Sequence, residues 1–262
     1  MKTLRMIRLL LSDNGVIWTA CFFSRALLRR LVGALDGYLK RLEEKYKLAG
    51  EHSVAINYLV WQTYDWRQLG EEWTKSPAWK KATIDEVMLK YIEPGKTILE
   101  IGPGGGRWTE ALQKLATRLV LVDLSEKCIA LCKDRFAQCD NIEFYVNDGA
   151  SLSFISDETV DYVWSLGVFV HINPRETEMY LAEFNRVLNK GGRGIIHHPR
   201  DGRVQQDGWR SKVTSEMFHQ LLEKQGLTLV RQIDSWGNEK QGDVVTIFEK
   251  PLNSSDAEMI TS

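Results

Sequence analysis

Apolar positions recur along this chain with more than one period. From about Phe22 to Leu48 they fall at helical spacing, at Leu28, Leu31, Leu35, Leu39, Leu42 and Tyr46. Beyond residue 96 short apolar runs alternate with helical patterns. Strands are predicted at 97–101, 118–123, 142–146, 161–165 and 193–197, and helices at 107–116, 125–137 and about 175–188. Such alternation predicts a parallel sheet with crossover helices. A last helix at about 215–225 ends at Gly226, and strands at 227–233 and 244–249 close the pattern. The connection between them, 234–243, suits a hairpin. Upstream, Ser76-Pro77 predicts a helix start, with the helix running to about Tyr91, and Glu93-Pro94-Gly95-Lys96 is a turn into the first strand. The final residues, 251–262, are polar and are expected to be disordered.

The first strand runs straight into chemistry. Ile98-Leu99-Glu100-Ile101 is followed by Gly102-Pro103-Gly104-Gly105-Gly106, and a helical pattern resumes at Trp108. Glycines let the backbone bend sharply and approach a ligand, and a helix start offers free N–H groups. The second apolar run ends in Asp123, 21 residues after Gly102. A nucleotide-binding α/β unit places a carboxylate at about 20 residues, on the ribose hydroxyls. A bare strand–helix corner would need no such acid. A dinucleotide fold wants glycine at the sixth position of G-x-G-x-x-G, and here that position is Arg107.

The pattern G-x-G-x-G, with Glu100 two places before its first glycine, resembles the first motif of class I S-adenosylmethionine-dependent methyltransferases. The resemblance covers roughly 90–250. It includes Asp148-Gly149 after the third strand and Arg186-Val187-Leu188-Asn189-Lys190-Gly191-Gly192, similar to the family's R-V-L-x-x-G-G helix end. It implies a Rossmann-like fold, with a seven-stranded, mostly parallel sheet ending in an antiparallel hairpin. It also implies S-adenosylmethionine as cofactor. The set implied to hold it is Glu100, Gly102, Gly104, Gly106, Asp123, Leu124, Asp148, Gly149 and Ser165, with Asp148 on the adenine amino group. Ser165-Leu166-Gly167 stands where amino methyltransferases acting on bases often show D/N-P-P-Y/F and where metal-dependent catechol-type enzymes place an Asp. Base methylation and a catalytic metal are therefore not expected.

Three histidines, His171, His197 and His198, fall at the carboxyl ends of predicted strands, where open α/β sheets bind ligands. Histidine titrates near neutral pH and can take a hydroxyl proton. The expected reaction is therefore O-methylation of a small-molecule, sugar or glycolipid hydroxyl. A nicotinamide-dependent oxidoreductase and a non-catalytic methyltransferase-like module are the alternatives. Arg107 and the terminal hairpin oppose the first, and an occluded pocket would mark the second. The loop after His198 carries Arg200, Arg203, Trp209 and Arg210, which suit an anionic or carbohydrate substrate as well as a solvated connector.

Composition narrows the rest. With 262 residues, 44% hydrophobic and 26% charged, the chain has room for one α/β domain and an appendage. Boundaries are expected at 1–90 for a helical, Trp-rich extension, 91–250 for the cofactor domain and 251–262 for the tail. Net charge is −1, which gives no electrostatic case for nucleic acid, but residues 1–50 carry a balance of +6 and the remainder −7. The basic helical pattern fits peripheral contact with an anionic membrane as well as packing on protein. Ser12-Asp13-Asn14-Gly15 interrupts the first apolar run, and the run from Val16 to Phe23 is short, so no membrane span or export signal is expected. Cys21, Cys128, Cys132 and Cys139 form no C-x-x-C pair, so free thiols in a reducing, cytoplasmic setting are expected. Trp61, Trp66, Trp73 and Trp79, with Tyr58 and Tyr64 among them, suit a core and a pocket wall equally.

Overall fold

A computed structural model describes residues 2–46, 48, 50–201 and 209–252. Arg203 and all but the first two residues of the tail lie outside the described residues. The chain divides into two compact units, Met1–Gly50 and Glu51–Ser262.

The first unit is one long helix, α1 (Lys2–Tyr46), broken locally at Gly15, whose φ of 77° and ψ of 172° are non-helical. Glycine takes that conformation at little cost. Just before it, Asn14 Nδ2 donates to the Leu10 carbonyl at 3.3 Å, so the first helical stretch reaches Asn14 and a second follows the kink. Leu9, Val16, Ile17, Trp18, Leu27, Leu31, Leu35 and Leu39 are all exposed. An 18-residue window of the helix reaches a mean hydropathy of 1.2, so by length and composition α1 is able to cross a membrane. The expectation of no span rested on the Ser12–Gly15 interruption and the short run after it; the interruption is where the kink falls, and the length test alone counts the stretches on both sides as one helix.

The second unit opens with α2 (Val54–Thr63) and α3 (Pro77–Ala82), a π-helical turn (Thr83–Met88) and α4 (Leu89–Tyr91). The sequence predicts one uninterrupted helix from Pro77. The hydroxyl of Thr83 instead donates to the Trp79 carbonyl and accepts from Trp236 Nε1, both at 2.9 Å, where the helix widens. Strands β1 (Lys96–Ile101), β2 (Ala116–Asp123), β3 (Ile142–Val146), β4 (Val160–Ser165), β5 (Leu188–His198), β6 (Thr228–Trp236) and β7 (Glu239–Glu249) form one sheet in the order β3-β2-β1-β4-β5-β7-β6. The first five are parallel, and β7 runs antiparallel to both β5 and β6. The predicted seven-stranded sheet with its terminal hairpin is therefore present. Helices α5 (Thr109–Leu115), α6 (Glu126–Arg135), α7 (Pro174–Val187) and α8 (Ser215–Lys224) complete it.

The central strands are buried on both faces, as parallel strands require. Leu99 and Ile101 join Leu181, Phe184 and Phe218 in one core, while Ile98 joins Trp108, Leu112 and Ile129 in the other. Helix starts follow local chemistry. The Asn173 side chain accepts from the N–H groups of Arg175 and Glu176 ahead of Pro174, and Ser125 Oγ accepts from Cys128 N–H. The Gly191-Gly192 turn predicted after α7 persists as a register shift. Leu188 pairs with Val160, pairing resumes at Arg193 with Tyr162, and Gly191 has φ 75°.

Residues 51–90, grouped by sequence with residues 1–50, pack instead as part of the sheet-bearing unit. Asn57 Nδ2 donates to the His171 carbonyl at 2.9 Å, Ser125 Oγ donates to Gln62 Oε1 at 2.7 Å, and Lys127 Nζ donates to the Tyr64 carbonyl at 2.7 Å. These bonds lay α2 and the turns after it across the loops that leave β2 and β4.

Candidate active site

Parallel strands bring the carboxyl ends of β1, β2, β4 and β5 to one edge of the sheet, and the candidate residues gather there. The glycine turn takes positive φ at Gly102 (70°), Gly104 (57°) and Gly106 (85°). Asp123 clamps it: Oδ2 accepts from Gly104 N–H at 3.2 Å and Oδ1 accepts from Ser125 N–H at 2.9 Å. The turn is packed closely from the other side. A Cβ on Gly102 would lie 2.4 Å from Val168 Cγ2, one on Gly104 2.7 Å from the Trp66 ring, and one on Gly105 2.5 Å from Leu69 Cα.

Around this edge lies a cavity of about 600 Å³, lined among others by Gly102, Gly104, Asp123, Leu124, Gly149, His171 and His197. That volume is in the range of small-ligand sites. Burial pushes the Asp123 carboxyl up to about 6, against the pull of the hydrogen bonds from Ser125, Gly104 and Leu124. A carboxylate in the cavity wall beside a turn without side chains fits a ribose and the amino-acid chain attached to it. Val54 of α2 would touch a Cβ on Gly149 at 2.9 Å, so α2 roofs the Leu124–Gly149 end.

Other predicted residues do not line the cavity. Glu100 is buried, accepts from the Thr109 hydroxyl at 2.6 Å and is raised to about 8 by burial. Gly106 faces the Phe136 ring, which would lie 2.6 Å from a Cβ at that position, and so serves contact with α6. The Ser165 hydroxyl donates to the Ile101 carbonyl at 3.0 Å, tying β4 to β1. Asp148 Oδ1 accepts from Ala150 and Ser151 N–H at 3.1 and 2.7 Å, which turns this carboxylate toward its own loop, while its neighbour Gly149 reaches the cavity.

The three histidines separate. His198 is fully buried, stacks on Phe218 at 4.0 Å and is bonded through both ring nitrogens, to the Pro199 carbonyl and to Thr246 Oγ1. It lies outside the cavity lining and acts as a core residue. His197 lines the cavity, and its Nδ1 accepts from Gly167 N–H at 3.2 Å. A neutral imidazole has one donor and one acceptor nitrogen, so its proton sits on Nε2 and its lone pair is taken. That bond removes His197 as a proton acceptor. His171 packs among Trp209, Trp61 and His52, with ring centres at 4.9, 5.2 and 6.4 Å. Its Nδ1 is buried with no hydrogen-bond partner among the described residues. Burial, followed by nearby Arg210, lowers its pKa to about 3. His197 is likewise lowered to about 3, chiefly by burial. Both rings are neutral throughout the physiological range.

The rest of the wall is aromatic. Trp61, Tyr64, Trp66 and Trp73 contact one another at 5.0–6.2 Å between ring centres. Trp66 is pinned by a bond from Nε1 to the Trp61 carbonyl at 3.0 Å. His52, Asn57, Arg107 and Asp243 also line the cavity and were not among the predicted site residues. Of these only Arg107 carried a sequence signal, its place directly after the glycine turn, because contacts across more than a hundred residues leave no local pattern. Cys128 and Cys132 are buried free thiols whose pKa values burial raises, and Cys132 Sγ lies 3.3 Å from the Gly104 carbonyl beneath the turn.

Comparison with known proteins agrees with this layout. Residues 98–192 match a family model described as a methyltransferase domain. A demethylmenaquinone methyltransferase of Clavibacter sepedonicus is 32% identical over 120 residues, which is 45% of this chain and 46% of that protein. A probable ribosomal RNA small subunit methyltransferase A of Methanosarcina acetivorans is 35% identical over 68 residues, 26% of this chain and 25% of that protein. The chain thus spans between a quarter and a half of the length of these curated relatives. The crystal structure of a SAM dependent methyltransferase from Aquifex aeolicus aligns with TM-score 0.56 at 17% identity, over 71% of this chain and 98% of that one. At that identity the likeness is one of fold.

Proposed function

We propose that this chain, a class I S-adenosylmethionine-dependent methyltransferase by its domain at 98–192 and its sheet, methylates a hydroxyl on a small-molecule, sugar or lipid-linked acceptor. The observation that carries the reading is one cavity that joins Asp123 and the glycine turn to a chamber walled by aromatic side chains. The chamber walls favour a small acceptor over folded RNA, the substrate named for some relatives, and the near-neutral net charge supports the same choice.

The cofactor supplies a methyl group already activated on a sulfonium. Asp123 would hold the ribose hydroxyls, the bare backbone of the glycine turn, closed on its other side by Val168 and Trp66, would lie along the methionine chain, and Leu124, Gly149 and Val54 would enclose the base. The tryptophans exclude water, and the chamber orients the acceptor. His171, with a free Nδ1 lone pair, is the residue left to take the acceptor's proton. Calorimetry with S-adenosylhomocysteine and with NADH tests the cofactor: binding of NADH alone would overturn the reading. Release of S-adenosylhomocysteine across hydroxylated metabolite and glycan fractions then finds the acceptor.

His171→Ala is expected to lower kcat by about 10²-fold or more with cofactor affinity within threefold. A near-parent kcat would remove proton transfer to His171. Because His171 is already neutral, kcat at saturating cofactor should be flat from pH 5.5 to 8, and a midpoint near 6.5 would show a histidine titrating that this geometry keeps neutral.

The exposed apolar helix and its basic balance support a second element of the proposal, a place at an anionic membrane. Full-length protein should sediment with phosphatidylglycerol-containing vesicles, while protein lacking residues 1–50 should stay in the supernatant. Equal behaviour of the two would remove the membrane from the proposal.

A further inference from the structure

The edge of the cavity at the ends of β4 and β5 carries charge that methyl transfer itself does not use. Arg107 leaves the glycine turn, lines the cavity and is only 8% exposed. Its guanidinium lies over the Trp108 ring, 4.8 Å from the centre. Nη2 would be 3.7 Å from a Cβ on Gly167, a residue with φ 87°. Nη1 is buried and has no hydrogen-bond partner among the described residues.

Three acids lie near enough to act on Arg107, Glu71, Glu72 and Glu100, and none is hydrogen-bonded to its Nη1. Glu100 accepts from the Thr109 hydroxyl. Glu71 is held by Lys80 and by the Thr74 hydroxyl, and Glu72 Oε1 accepts from the Tyr64 hydroxyl at 2.8 Å. Glu72 Oε2 is itself buried without a partner, and Glu72 lies outside the cavity lining. Two further cations line the same edge. Arg210 Nε donates to Asp243 Oδ2 at 3.0 Å, and Lys75 Nζ donates to Gln241 Oε1 at 2.5 Å and lies 3.8 Å from Glu239. Arg210 is thus matched by a carboxylate, and Lys75 is partly matched. Arg107 retains an unmet donor, which is costly in a buried place unless an anion meets it. A carboxylate or phosphate would do so with charge-assisted bonds in the forked geometry of a guanidinium.

Position assigns the anion to the acceptor. Gly167 follows β4 and His197 ends β5, whereas Asp123 ends β2 on the far side of β1. Strands lie about 4.8 Å apart, which puts the Gly167–His197 edge about 10–14 Å from Asp123. We propose that Arg107 binds an anionic group, a carboxylate or phosphate, carried by the methyl acceptor, with Gly167 leaving space for it and Lys75 adding to the positive field. This rests on the methyl-transfer reading of the cavity.

Benzoate and its neutral counterpart benzamide are suitable probes, added to full-length protein saturated with S-adenosylhomocysteine and followed by tryptophan fluorescence. Benzoate should bind at least fivefold more tightly than benzamide. Arg107→Gln should abolish that preference, Arg107→Lys should restore part of it, and both should bind S-adenosylhomocysteine within threefold of the parent. Equal binding of the two probes by the parent overturns the proposal, and this arm needs no variant. A tenfold or greater loss of S-adenosylhomocysteine affinity in Arg107→Gln also overturns it, because the guanidinium would then serve the cofactor's own carboxylate. Failure of the parent to bind S-adenosylhomocysteine at all would instead strike the methyl-transfer reading.

Discussion

Asp123→Asn is expected to weaken S-adenosylhomocysteine binding by 10²-fold or more in calorimetry. A carboxylate accepting from both ribose hydroxyls makes two charge-assisted bonds, each worth about 1.5–3 kcal/mol. The amide loses the charge and sets an NH₂ against either Gly104 N–H or Ser125 N–H, which both donate to the carboxylate now. The glycine turn therefore loses its clamp along with the ribose. The same residue sets a pH dependence. Burial raises the Asp123 carboxyl to about 6, and the ionised form is the one that accepts from hydroxyls. Affinity should then fall about tenfold from pH 7 to pH 5 in the parent and stay level in Asp123→Asn. Unchanged affinity in the variant would take the ribose away from Asp123.

Gly104→Val is expected to abolish cofactor binding and to lower the melting temperature. Valine at φ 57° is strained, at about 1–2 kcal/mol for the left-handed backbone. Its Cβ would also fall 2.7 and 2.8 Å from Trp66 ring atoms. Trp66 is 7% exposed and bonded to the Trp61 carbonyl, so it cannot swing aside without opening the aromatic wall. Such overpacking adds about 1–3 kcal/mol. Gly226→Ala is the control: φ is 71°, but nothing lies within 4 Å of the new Cβ, so only the backbone cost applies. Equal melting temperatures for the two variants would show that the contact with Trp66 carries no weight.

The chain's order of apolar runs determined the sheet, its hairpin and the line of the central core, because parallel strands buried on both faces read as continuous apolar stretches. The glycine turn and Asp123 were legible for a related reason: they are neighbours along one βαβ unit, and their spacing is local. The segment Ser12–Gly15 was read as a break, and the structure bends there at Gly15, but composition did not show that helix resumes directly after it. What the tertiary structure alone decided is the division of labour within the site. His171, His197 and His198 look alike in sequence, yet a backbone N–H occupies the lone pair of one, Thr246 and Phe218 hold another in the core, and His171 lines the cavity with a buried Nδ1 that no described residue bonds. Asp148 and Asp123 both follow strands, but only the second lines the cavity. The aromatic roof from 51–73 and the unmet donor of Arg107 arise from contacts between segments remote in the chain. No sequence period records such contacts, because burial and hydrogen-bond satisfaction are set by which surfaces meet once the sheet has formed.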